Sequence, residues 1–269
     1  MAEEREMGFL DHLEELRWRL VKSAAAIVVF ASLAFINVDI VFDGIILAPK
    51  SPDFITYRVL CQLGNFFHLG DLLCFTDFNY TLQNINMSGQ LGTHIMVSII
   101  AGIVAAFPFV FYQLWSFVKP GLKQNEQSKA RGIVFYASVL FLLGVAFGYY
   151  VLAPLSIQFL GTYRVSAQVE NQISLDSFIS TVTSLSLYTG IVFELPIAIY
   201  FLAKIGIISA TFLKKYRKHA FLVVLIVAAI ITPPDVLSQC IVTVPLMLLY
   251  ETGIMVAARM ERKQASENN

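Results

Sequence analysis

Charge is scarce in this chain. Asp, Glu, Lys and Arg make up 14% of its 269 residues against 57% hydrophobic, and mean hydropathy is +0.69. A soluble domain must cover itself with polar groups, so this composition points to lipid as the solvent. Net charge is zero, from 19 basic and 19 acidic residues, which removes the basic excess that binding nucleic acid would require. Cysteine is limited to three residues, with no spacing that fits a metal site. Cys61 and Cys74 share one long polar stretch, and an oxidising compartment would allow them to pair. Sequence does not supply their Cα separation, so a disulfide and two free thiols both stay open. Also lacking are a P-loop, a Gly-x-Ser-x-Gly, a His-Glu-x-x-His and any internal repeat. These absences argue against a nucleotide-driven pump and an intramembrane protease. A proton-coupled transporter would need further buried acids or matched broken helices, which are also missing.

What is abundant is apolar sequence in runs. A bilayer core of about 30 Å takes about 20 helical residues, and six candidates appear, at 20–37, 91–117, 133–155, 178–203, 220–232 and 236–257. The fifth is short, and with the sixth it reads as a short or hairpin-like pair. The first follows a prefix of mixed charge without a small-residue cleavage site, so it reads as a retained span. Sixteen of the nineteen Lys and Arg lie before span one, between two and three, between four and five, or after six; only Lys50, Arg58 and Arg164 lie opposite. The positive-inside rule then places both termini in the cytoplasm. The expectation is an all-α, cup-shaped, six-span membrane protein. Residues 1–19 form a cytoplasmic amphipathic lead-in, 20–258 the membrane domain and 259–269 a cytoplasmic tail. The outer loop at 38–90 is long, yet its aromatics and Ile45, Ile46 and Leu47 predict a small ordered cap.

Four stretches carry polar groups where they are costly or clustered. In the lead-in, His12-Leu-Glu-Glu-Leu-Arg-Trp-Arg-Leu, the leucines share one side and Glu15 can pair with Arg19 four residues on, as Glu14 can with Arg17 three on. Next, Tyr112-Gln-Leu-Trp-Ser-Phe-Val-Lys-Pro-Gly-Leu ends the second span in interfacial aromatics and enters a basic loop whose lone acid is Glu126. Phe193-Glu-Leu-Pro sets Glu194 inside the fourth span beside Pro196, which lacks an N–H and kinks the helix into a polar notch facing protein or water. Finally, Thr232-Pro-Pro-Asp-Val-Leu-Ser-Gln makes a rigid turn in which Asp235 can cap the next helix, with Gln239 in its first turns.

In this order and spacing, over nearly the whole chain, the four stretches resemble the TatC family of twin-arginine protein translocases; the 38–90 loop is longer than usual for it. The resemblance implies a subunit without covalent chemistry or cofactor. It would bind the paired arginines of signal peptides on folded cargo and associate with single-span TatA and TatB and with other TatC copies in the inner membrane, driven by the proton-motive force. It implies Glu15 and Glu126 as the twin-arginine site, with Arg17 and Arg19 beside them. Glu194, with Pro196, would polarise the intramembrane face, and Thr232 and Gln239, next to Asp235, would dock a partner helix. Two carboxylates suit two guanidinium groups, which are planar and donate in pairs.

Overall fold

The computed structural model describes residues 9–66, 68, 74, 81–118, 130–166, 168 and 171–267. Helix α1 (Phe9–Ile36) carries the lead-in into the first span without a break. A π-helical turn (Asp39–Ile46), a 3-10 turn (Ala48–Lys50) and α2 (Ile55–Phe66) follow, then β1 (Thr81–Gln83) and α3 (Gly89–Val118). The third span is α4 (Ala130–Phe147), a π-helical turn (Gly148–Leu152) and α5 (Ala153–Thr162). After β2 (Gln172–Ser174) come α6 (Leu175–Phe193), α7 (Leu195–Lys204), α8 (Ala210–Lys215), α9 (Arg217–Ile231) and α10 (Val236–Glu267).

Among the described residues, five stretches are long and apolar enough to cross a membrane: His12–Ile36, Gly89–Val118, Gly132–Thr162, Leu175–Lys204 and Ser238–Arg262. The remaining apolar helix, α9, the fifth in chain order, has 15 residues, which at 1.5 Å per residue reach about 22 Å. Its shortness matches the expectation. It forms a hairpin with α10, but α10 itself is not short: its 32 residues run past the expected end at 257, because no Gly or Pro interrupts the charged stretch after Ala258. The third span likewise outruns its expected end at 155, as α5 continues through Pro154 to Thr162. Proline tolerates this position because the Tyr150 carbonyl, which a Pro154 N–H would have served, instead accepts the Thr56 hydroxyl.

That contact also docks the cap. Tyr57 is 2% exposed, and its hydroxyl lies 3.1 Å from both the Pro49 and Pro154 carbonyl oxygens. Cys61 is bonded to Cys74, with Cα atoms 4.3 Å apart, which resolves the open pairing. The two three-residue strands, absent from the sequence expectation, pair in parallel, Leu82 opposite Ile173, and tie the two long far-end loops together.

Large apolar side chains face outward, among them Ile36 at 75%, Ile230 at 75% and Leu248 at 62% exposed. In lipid such surface carries no penalty, so tight packing must come from small residues. Gly144 and Gly148 of the third span cross Ser186 and Gly190 of the fourth. A Cβ on Gly148 would lie 2.5 Å from the Leu185 carbonyl oxygen and 2.7 Å from the Ser186 Cα. Backbone atoms cannot give way, so Gly148→Ala is expected to cost about 1–3 kcal/mol. Thermal unfolding in detergent should show that loss, whereas Gly92→Ala, with nothing within 4 Å, should leave the midpoint unchanged.

Candidate functional site

At the end of the bundle that bears the termini, α1 and α3 pack along their length through Gly102, whose Cα leaves room for the Ala31 backbone. This brings the lead-in beside the end of the second span. Arg19 donates through Nε (3.0 Å) and Nη2 (2.5 Å) to the same oxygen of Glu15, Oε1. Its Nη1 reaches Gln113 Oε1 at 3.5 Å, and Ser23 Oγ donates to the Arg19 carbonyl at 2.9 Å. The second carboxylate oxygen, Glu15 Oε2, is covered and has no hydrogen-bond partner among the described residues; His12 Nδ1 stands 4.0 Å away. The His12 ring stacks on Phe117 with centroids 4.3 Å apart, closing one side. Arg17 is exposed and takes no part in the pair, so only Arg19 of the two arginines holds Glu15. Glu126 lies outside the described residues.

Gln113 escaped the sequence reading. Its signal was an amide in an otherwise aromatic and aliphatic helix end, and at 7% exposure it is part of the wall. Beside it, Trp115 is 2% exposed and packs on Phe201 at 4.8 Å, joining this end of α3 to α7.

Glu194 forms the joint between α6 and α7. Its backbone N–H bonds the Ile191 carbonyl at 3.1 Å, and Pro196 starts the next helix, so the expected break falls where the sequence placed it. Both carboxylate oxygens are sealed from solvent without a hydrogen-bond partner among the described residues, so the notch faces protein and not water. A carboxylate so placed can accept a strong hydrogen bond from a donor on another helix.

Thr232, Asp235 and Gln239 gather at the opposite end. Asp235, 3% exposed, caps α10 by accepting from Ser238 N at 2.5 Å, and its other oxygen lies 3.5 Å from Ser156 Oγ. Ser156 and Ser238, both fully buried, approach to 3.1 Å, so the cap also fastens α5 to α10. Thr232 is buried and its hydroxyl donates to Ala228 O at 2.9 Å; Gln239 Nε2 donates to Leu225 O at 3.3 Å, holding α9 against α10. Asp235→Ala removes a cap worth about 1 kcal/mol and takes an acceptor from the buried Ser156 hydroxyl at about 1–3 kcal/mol. Unfolding measurements should therefore show a loss of about 3 kcal/mol, and a smaller one for Asp235→Asn, which keeps an acceptor oxygen.

The family profile described as Sec-independent protein translocase protein (TatC) matches residues 11–245. The Sec-independent protein translocase protein TatC of Blattabacterium sp. subsp. Periplaneta americana is 41% identical over 97% of this chain and 99% of its own. TatCy of Bacillus subtilis is 32% identical, over 96% of this chain and 91% of its own. A crystal structure of the twin arginine translocase receptor TatC superposes with a TM-score of 0.66 at 29% identity, covering 91% of this chain and 97% of that one. A second, obtained in DDM, gives 0.70 at 30% identity, covering 91% and 99%. The six-helix, cup-shaped bundle agrees with these structures, and such proteins are components of a translocase and not enzymes. With several membrane-crossing helices and a match over nearly its full length, this chain belongs to the TatC family of Sec-independent protein translocase subunits.

Proposed function

We propose that this translocase subunit recognises twin-arginine signal peptides of folded cargo through Glu15 and Glu126, and scaffolds the single-span subunits TatA and TatB. The Glu15 carboxylate carries the reading. One oxygen is taken by the chain's own guanidinium, while the other, beside the His12–Phe117 stack, has no donor among the described residues. An incoming arginine supplies such a donor in planar form and can lie against an aromatic face; lysine matches neither property. Arg19 positions the acid, and Arg17, exposed five residues before Lys22, adds to the rim that meets the peptide.

Glu194, at the Pro196 joint, is the acid offered to a partner helix within the membrane. The α9–α10 hairpin, with Thr232, Asp235 and Gln239, supplies the rigid docking edge, where Gln239 uses its Nε2 to hold α9. Both termini lie in the cytoplasm, and with six crossings the lead-in and the first cytoplasmic loop meet cargo on the same side. Transport draws on the proton-motive force. The test is photocrosslinking of a signal peptide to the purified protein. An Arg-Arg peptide crosslinks, its Lys-Lys counterpart does not, and Glu15→Ala with Glu126→Ala abolishes both crosslinking and export. Equal adherence of the two peptides would overturn the assignment.

A further inference from the structure

Residues 195–234 contain no Asp or Glu, yet they hold Lys204, Lys214, Lys215, Arg217, Lys218 and His219. Most of that charge sits on α8 and the start of α9, between the end of the fourth span and the fifth helix. The connection is a built platform. Ser209 Oγ caps α8 by accepting from Phe212 N at 3.1 Å, Glu261 of α10 accepts from Ala210 N at 2.7 Å, and the Tyr250 hydroxyl donates to Leu213 O at 2.8 Å. Ala210 and Leu213 are buried against α10. The outward side is different. Phe212 and Tyr216, at 50% and 38% exposure, set their rings 4.6 Å apart, and Lys214, Lys215 and Lys218 are exposed around them.

The carboxylates that α10 brings here are already engaged, Glu261 by the α8 backbone and Glu251 by Arg217 at 2.7 Å. No carboxylate among the described residues pairs with the three lysines. We propose that this platform is a binding site for the phosphate headgroup of an anionic lipid in the leaflet at the terminal end. The lysines supply the charge, and the aromatic pair lies at the boundary between headgroup and acyl chain. A soluble anion would use the lysines alone and leave two large rings exposed without purpose. A lipid uses both, and the platform directly joins the end of the fourth membrane-crossing stretch to α9.

The experiment is native mass spectrometry of the full-length protein in detergent with equal phosphatidylglycerol and phosphatidylcholine. The wild type should retain phosphatidylglycerol in preference. In Lys214→Gln, Lys215→Gln, Lys218→Gln that preference should fall by about a hundredfold, the product of three cations near a charged surface. The variant Lys50→Gln, Arg58→Gln, Arg164→Gln, with the same charge removed at the opposite end, should keep it. An unchanged preference in the first variant, or an equal loss in the second, would overturn the site. Displacement of phosphatidylglycerol by excess inorganic phosphate, or by a polyglutamate peptide, would also overturn it, assigning the lysines to a soluble anion or an acidic partner.

Discussion

Replacing Glu15 by Gln should weaken binding of a twin-arginine peptide by about ten- to a hundredfold and stop export of its cargo. The substitution keeps the side chain's shape and one acceptor but removes the charge. Hydrogen bonds to a charged group contribute about 1.5–3 kcal/mol, whereas exposed ion pairs contribute about 0–1. The larger figure applies here because Glu15 Oε2 is covered and the His12–Phe117 stack limits water. The variant also leaves Arg19 facing an amide, so the site gains net positive charge and repels the incoming pair. Titration of a labelled peptide against the purified protein reads the effect. A change under twofold, with Glu126 intact, would show that Glu15 serves only to steady Arg19.

Glu194→Leu is expected to act in opposite directions on stability and function. A charged side chain within the membrane costs about 2.5–3.5 kcal/mol on insertion scales, and here neither oxygen recovers it through a hydrogen bond among the described residues. Leucine removes that burden at a similar volume, so the isolated protein should gain about 1–3 kcal/mol, seen as a higher unfolding midpoint in detergent. TatA and TatB should no longer copurify with it. Lower stability would mean that the acid already has a partner within the folded chain, and normal copurification would remove Glu194 from the docking surface.

Burial also explains why the two acidic positions call for different experiments. Glu15 sits at the bundle's end with one carboxylate oxygen held by Arg19 and the other covered, so its test is a peptide added from solution. Glu194 sits at the Pro196 joint with both carboxylate oxygens covered by the chain itself, so a partner helix would have to open that cover to reach it. A polar group within the membrane is held at a cost, so its test is a membrane-embedded partner.

The number and order of the spans, the kink beside Glu194, the Asp235 cap and the Glu15–Arg19 pair were all legible along the chain, because each rests on local rules. Apolar length sets a crossing, proline withholds an N–H, and residues four apart share a helix face. What only the tertiary structure decided depends on residues far apart in sequence. Gln113 meets Arg19 across 94 positions because Gly102 lets α1 and α3 close together. Thr56 serves the carbonyl that Pro154 leaves open, Ser156 joins Asp235, and the far-end loops pair as two strands. Composition and periodicity report whether a group is costly to bury. Which distant group relieves that cost is set by how the helices cross.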